Sequence, residues 1–181
     1  VTAFVLSYRL GSKGYHHPIQ LNDAKRALRI VRHGAKKYRI NPHRIGVMGF
    51  SAGGHLASTL GTLFDEGKTD ASDPIDRIGC RPDFMILCYP VISFTTAYTH
   101  KGSRRNLLGP RLSDQAVVKG LSTELRVTKR TPPTFLFHTN EDRAVPPENS
   151  VLFYLALRRA GVAAEMHIYQ KGRHGVGLKQ D

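Results

Sequence analysis

Long apolar runs are missing from this chain of 181 residues. No stretch of 18 apolar residues occurs, so the sequence contains no candidate membrane-spanning helix. Cysteine is scarce, and Cys80 and Cys88 cannot make a disulfide framework. Cys88 lies in the apolar run FMILCYPVI and reads as a small core residue. Cys80 sits in a turn, and nothing in the sequence fixes the geometry of a bridge between the two. Internal repeats and low-complexity linkers are absent, so residues 1–181 read as one domain with a core of its own. No initiator Met and no charged-then-apolar signal segment opens the chain at VTAFVLSYRL, which starts inside an apparent strand; the true N-terminus is expected upstream.

Acidic residues are also in short supply: 14 Asp and Glu stand against 27 Lys and Arg, a formal net charge of +13. Such a balance can signal nucleic acid. The basic pairs Lys36-Lys37, Arg104-Arg105, Lys129-Arg130 and Arg158-Arg159 are scattered, however, and no aromatic-interleaved basic motif appears. Two of the pairs, Lys36-Lys37 and Arg158-Arg159, lie on predicted helices and read as solvated faces; nucleic acid and membrane are not expected as partners, and a preference for acidic polymers is left open.

What is present is an alternation of strands and helices. Short apolar runs rich in β-branched and aromatic residues predict strands at 2–10, 45–50, 82–92, 133–139 and 163–170. The spacing of Ala24, Ala27, Leu28, Val31, Ala35 and Tyr38 predicts a helix over 23–38, begun by Asp23. Further helices are predicted at about 52–64, 113–119 and 147–160, the last closed by Gly161. Residues 93–131 otherwise read as irregular and basic. This pattern predicts an α/β fold with a mostly parallel sheet and helices on both faces. Sites in such folds lie beyond the carboxyl ends of the strands. Three predicted loops meet that condition, around Ser51, Asp142 and His174.

Gly49-Phe50-Ser51-Ala52-Gly53 matches G-x-S-x-G between a strand and a helix. A serine on so sharp a turn has a strained backbone, and side chains two positions either side are expected to clash. The helix that begins at Ala52 aims its first amides at the same spot, where they can stabilise negative charge. A serine nucleophile needs a base, and the base an orienting acid. Asp142 and His174 follow in the order Ser, Asp, His. Glu141 is the rival acid beside Asn140; Asp142 is favoured by the D-x-x-V-P run that leads into the next helix. Among the rival histidines, His55 reads as packing or a supporting hydrogen bond, His138 as core or support, and His167 as packing or solvent. The pair His16-His17 has no further ligands at metal-site spacing.

IGVMGFSAGGHLAS, TPPTFLFHTNEDRAVPPENSVLFYLALRRAGV and EMHIYQKGRHGVGL together resemble the α/β-hydrolase fold. The closest likeness is to its bacterial serine-esterase branch, akin to acetyl xylan esterases, with prolyl-oligopeptidase-like relatives. The likeness runs from the first predicted strand to residue 178. It implies Ser51 as nucleophile, Asp142 as acid, His174 as base and the Ala52 amide as one oxyanion donor. It implies a carbohydrate ester as substrate, no metal and no organic cofactor. Export is an expectation from the same likeness, and no oligomeric state follows from it. Phe50 is expected to contribute packing, and residues 93–131 to cover the site. The alternatives are a serine peptidase and a non-catalytic binding protein on the same scaffold. One departure is visible: the family's glycine-rich loop, source of the second oxyanion donor, precedes the first strand seen here, and a family helix follows the histidine loop. The strand bearing that loop belongs between those matching 2–10 and 45–50. The chain is therefore expected to be a fragment of a longer protein, poorly stable and weakly active alone.

Overall fold

The computed structural model describes residues 1–177; Leu178, last apolar residue of the resemblance, lies outside them. Four strands form one sheet: β1 (Val47–Phe50), β2 (Met85–Cys88), β3 (Thr134–Thr139) and β4 (Ala164–Tyr169). All neighbours are parallel and the spatial order follows the chain, β1-β2-β3-β4. Six α-helices lie among the described residues: α1 (Ile19–His33), α2 (Ala35–Tyr38), α3 (Ala52–Thr62), α4 (Lys101–Leu108), α5 (Gln115–Gly120) and α6 (Glu148–Arg159).

Side chains alternate across a strand. Register sets Gly49 beside Leu87 and Leu87 beside Leu136, so these positions share a face. That face is dry. Met85, Leu87 and Leu136 pack against Ala57 of α3 and against Phe153 and Leu157 of α6. Helix α1 adds a second layer through Leu21, Ala24 and Leu28, which meet Leu60 of α3 and Cys80. The parallel sheet flanked by helices is thus present. Its helix cover lies on one face among the described residues, and the other face shows Met48, Phe50, Phe135 and Tyr169 to solvent.

Residues 2–10 correct the sequence reading: they form no strand, and Val5 is 98% exposed. A strand needs a partner, and β1 pairs only with β2. The segment is tied to the helices instead. Arg9 forms an ion pair with Asp23 at 2.5 Å, and Phe4 meets the Tyr38 ring edge-on. Asp23 therefore does not begin α1, which starts four residues earlier, at Ile19, with Pro18 at its N-cap. The break at Gly34 divides the predicted 23–38 helix into α1 and α2. Part of the basic charge is met internally: Lys25, Arg26, Arg29 and Arg32 reach Asp65, Asp73, Asp76 and Asp83, fastening α1 to the 65–83 loop.

Strand β2 is shorter than the predicted 82–92, because the chain leaves the sheet at Tyr89, whose φ of 37° is unusual for a non-glycine residue. Val91 then joins Phe94, Leu108, Val118, Leu121 and Val145 in a third cluster beyond the strand ends. This cluster orders much of the 93–131 segment, including α4, which apolar spacing did not predict. Cys80 and Cys88 are both buried and free. No helix of the described residues is long and apolar enough to cross a membrane.

Candidate active site

Ser51 follows β1 directly and has φ 52° and ψ −119°, a region that strains any residue with a side chain. Its backbone is held from both sides. The Ser51 N–H donates to Cys88 O at 3.0 Å, and Ser51 O accepts from Val91 N–H and His55 N–H. Glycine is required at two neighbouring positions, and they differ in part from those expected. A Cβ on Gly49 would stand 2.2 Å from Gly53 O, and one on Gly54 would stand 2.7 Å from Pro90 Cβ. A Cβ on Gly53 would meet nothing within 4 Å, so the expected clash at that position is absent. The close approach that requires glycine is that of α3 to β1 and to the Tyr89–Pro90 turn.

Asp142 follows β3 and His174 follows β4. The three residues meet: His174 Nε2 lies 2.8 Å from Ser51 Oγ, and His174 Nδ1 lies 2.5 Å from Asp142 Oδ2. The other carboxylate oxygen, Oδ1, accepts the N–H groups of Ala144 and Val145 at 3.0 and 2.9 Å. The D-x-x-V-P run is thus a turn that fixes the acid. The Asp142 carboxylate is fully buried, whereas His174 keeps part of its ring open. Glu141, the rival acid, points elsewhere and accepts Gly172 N–H at 3.2 Å. Ala52 opens α3, and its N–H has no acceptor among the described residues.

The other histidines divide as their surroundings dictate. His138 is buried behind Asp142, with Nε2 2.9 Å from Val145 O and Nδ1 2.8 Å from Ser150 Oγ. A carbonyl can only accept, so Nε2 carries the proton and Nδ1 accepts from Ser150. Burial pushes the His138 imidazole below its usual range. His55 is buried, hydrogen-bonds to Leu121 O at 2.9 Å and stacks on Phe94; burial lowers its pKa to about 4. His167 is on β4, beside Glu165 at 2.6 Å and between aromatic rings. His16 bonds to the backbone of Asn106. The described residues hold no group of three or more His, Cys, Asp or Glu side chains that could bind a metal.

Tyr89 borders the candidate site and was missed by sequence reading. Its ring meets His174 edge-on at 4.9 Å and Phe50 at 5.9 Å, and burial raises its pKa. Its position, one residue past β2 at the same end of the sheet, is the signal that could have found it. A cavity of about 190 Å³ opens beside Ala52 between Leu10, Gln20, His55, Phe94 and Asn106. Phe94 and Asn106 come from the 93–131 segment. A second, open cleft borders His174 itself and is lined by Asn140, Glu141, Arg143, Ala144 and Arg173.

Comparison with known proteins identifies the family of the chain. The family model described as BD-FAE matches residues 2–157, a span that includes Ser51 and Asp142. The chain is 40% identical over 183 residues to endo-1,4-beta-xylanase B of Butyrivibrio fibrisolvens, which aligns with all of this chain and 28% of that protein. It is 38% identical over 181 residues to the acetylxylan esterase of Xylanibacter ruminicola, covering 98% of this chain and 35% of that protein. The chain thus spans about a third of the length of these curated relatives. Among solved structures, the acetyl ester-xyloside bifunctional hydrolase from Caldicellulosiruptor lactoaceticus superposes with a TM-score of 0.91 at 53% identity, over 95% of this chain and 62% of that one. A truncated carbohydrate esterase from gut microbiota superposes with a TM-score of 0.81 at 25% identity, over 93% and 65%. With the matched residues spanning most of the chain and the parallel sheet carrying its loops at the same end, the chain belongs to the BD-FAE family, an esterase branch of the α/β-hydrolase fold.

Proposed function

We propose that this protein hydrolyses carboxylic esters of carbohydrate, acetyl and other short acyl esters in particular, through an acyl-enzyme on Ser51. The observation that carries the reading is the continuous relay from Ser51 Oγ through His174 to the buried carboxylate of Asp142. The acetylxylan esterase and the acetyl ester-xyloside hydrolase among its relatives support the carbohydrate substrate.

In this reading Ser51 Oγ–H donates to His174 Nε2, and His174 Nδ1–H donates to Asp142 Oδ2. Ser51 attacks the ester carbonyl while His174 takes its proton. Asp142 holds the imidazole in the productive tautomer and stabilises its cation. The oxygen that becomes negative sits against the Ala52 N–H, at the positive end of α3. His174 then protonates the departing alcohol. Water, deprotonated by the same histidine, attacks the acyl group and frees Ser51.

The test is a fluorophosphonate probe together with steady-state turnover on the full-length protein. The probe is expected to label Ser51, and Ser51→Ala is expected to lose labelling and at least about 10³-fold in kcat. Acetylated xylo-oligosaccharides are expected to turn over in preference to proline-containing peptide amides. Labelling elsewhere, or full turnover by Ser51→Ala, would overturn the assignment.

A further inference from the structure

The open cleft beside His174 carries two arginines, one from each of the loops that supply the acid and the base. Arg143 directly follows Asp142, and Arg173 directly precedes His174. Both side chains are exposed. Neither has an ion-pair partner among the described residues. Other basic side chains also lack an ion-pair partner among the described residues; these two are distinguished by lining the cleft that His174 borders. The cleft holds one carboxylate, that of Glu141, and its Oε2 already accepts Gly172 N–H.

Direction matters here. The group that protonates the leaving alcohol is His174, so the alcohol half of the ester lies on the His174 side of Ser51. The cleft bounded by His174, Arg143 and Arg173 is on that side. Each of the two unpaired guanidiniums at its wall is a planar fork of N–H donors, a shape that suits a planar carboxylate. Resting on the esterase reading above, we propose that this cleft is a subsite for a carboxylate on the alcohol half of the substrate. The preferred substrates are then acylated carbohydrates carrying a uronate close to the esterified sugar. Arg143 and Arg173 determine this specificity without taking part in the acyl transfer.

The experiment compares two substrates in the full-length protein: an acetylated xylo-oligosaccharide with a glucuronate branch, and the same compound with its carboxyl reduced to the alcohol. The quantity read is the ratio of kcat/KM for the charged over the reduced substrate, within each enzyme, so that any general loss of activity cancels. Exposed arginine–carboxylate pairs contribute modestly, and the wild-type ratio is expected at about 5. It is expected to fall to about 1 in Arg143→Gln/Arg173→Gln, to remain well above 1 in Arg143→Lys/Arg173→Lys, and to drop below 1 in Arg143→Glu/Arg173→Glu. The wild-type ratio should also shrink from about 0.01 M to about 1 M salt, as the Debye length contracts from about 30 to about 3 Å. A wild-type ratio near 1, or one unaltered by the glutamine pair, overturns the subsite while leaving the esterase reading intact. Failure to hydrolyse either oligosaccharide or p-nitrophenyl acetate overturns the esterase reading, and the subsite falls with it.

Discussion

His138 Nε2 lies 3.3 Å from Oδ2 of Asp142, the same oxygen that faces His174 Nδ1 at 2.5 Å. Both groups are fully buried. The Nε2–H of His138 is directed mainly at Val145 O, so His138 ties together the two ends of the acid turn. His138→Leu would leave the Ser150 hydroxyl and the Val145 carbonyl buried without this partner. The expected cost is about 2–3 kcal/mol, read as a lower urea midpoint at unchanged m-value. A variant as stable as wild type would show that the turn holds itself.

Asp142→Asn separates the two tasks of the carboxylate. The amide oxygen can keep the Oδ1 role, accepting from Ala144 and Val145. The NH₂ group then faces His174 Nδ1 and favours the tautomer with Nε2 protonated, which cannot take the serine proton. A fall of about 10³–10⁴ in kcat with little change in folding stability is expected, measured by steady-state kinetics and thermal unfolding of the same sample. If stability falls in step with activity, the loss is structural.

The glycines of the elbow make opposite predictions. Gly49→Ala drives a methyl group against Gly53 O and should lower stability by several kcal/mol, because backbone must move. Gly53→Ala meets open space and lies in the first turn of α3, so its melting temperature should equal or exceed that of wild type. Loss of turnover in Gly53→Ala at unchanged melting temperature would mean that the space is needed by substrate.

Acid should weaken the fold through His55. Its pKa is about 4 in the folded chain, held down by burial, against an ordinary 6.5. Between these values the unfolded chain binds a proton that the folded one excludes. Stability present at neutral pH is therefore lost as pH falls from 6.5 towards 4, by an amount on the order of 3 kcal/mol. Burial lowers the pKa of His138 in the same direction. His55→Gln can keep a hydrogen bond to Leu121 O, and urea unfolding at about pH 7.5 and about pH 5 should show a smaller loss for the variant. An equal loss would assign the pH dependence elsewhere.

The sheet and the three loops that meet at the candidate site were legible in the sequence because each is announced locally. A strand-length apolar run and a glycine-flanked serine define one loop; an acid turn and a histidine, each just past a strand, define the others. What failed to show depends on distant partners. Residues 2–10 have the composition of a strand, yet a strand exists only through a neighbour that its own residues do not specify. Helix α4, KGSRRNLL, lacks an apolar stripe and is held by Leu108 in a cluster assembled from four other segments. The glycine requirement at Gly54 comes from Pro90, a residue 36 positions away. Tyr89 carries no motif and becomes a site residue only through where β2 ends.

The relay joins residues far apart in the chain: 123 positions separate Ser51 from His174, but only 32 separate His174 from Asp142. At synthesis rates of about 5–20 residues per second, the serine is added to the chain roughly 6 to 25 s before the histidine. Strand β4, which carries the histidine loop, is made after the other three strands described. Through that interval the elbow can fold against α3 while Ser51 has no group to accept its proton. The order of loops along the sheet thus leaves the Ser51 hydroxyl without its histidine partner until the loop after β4 has been made.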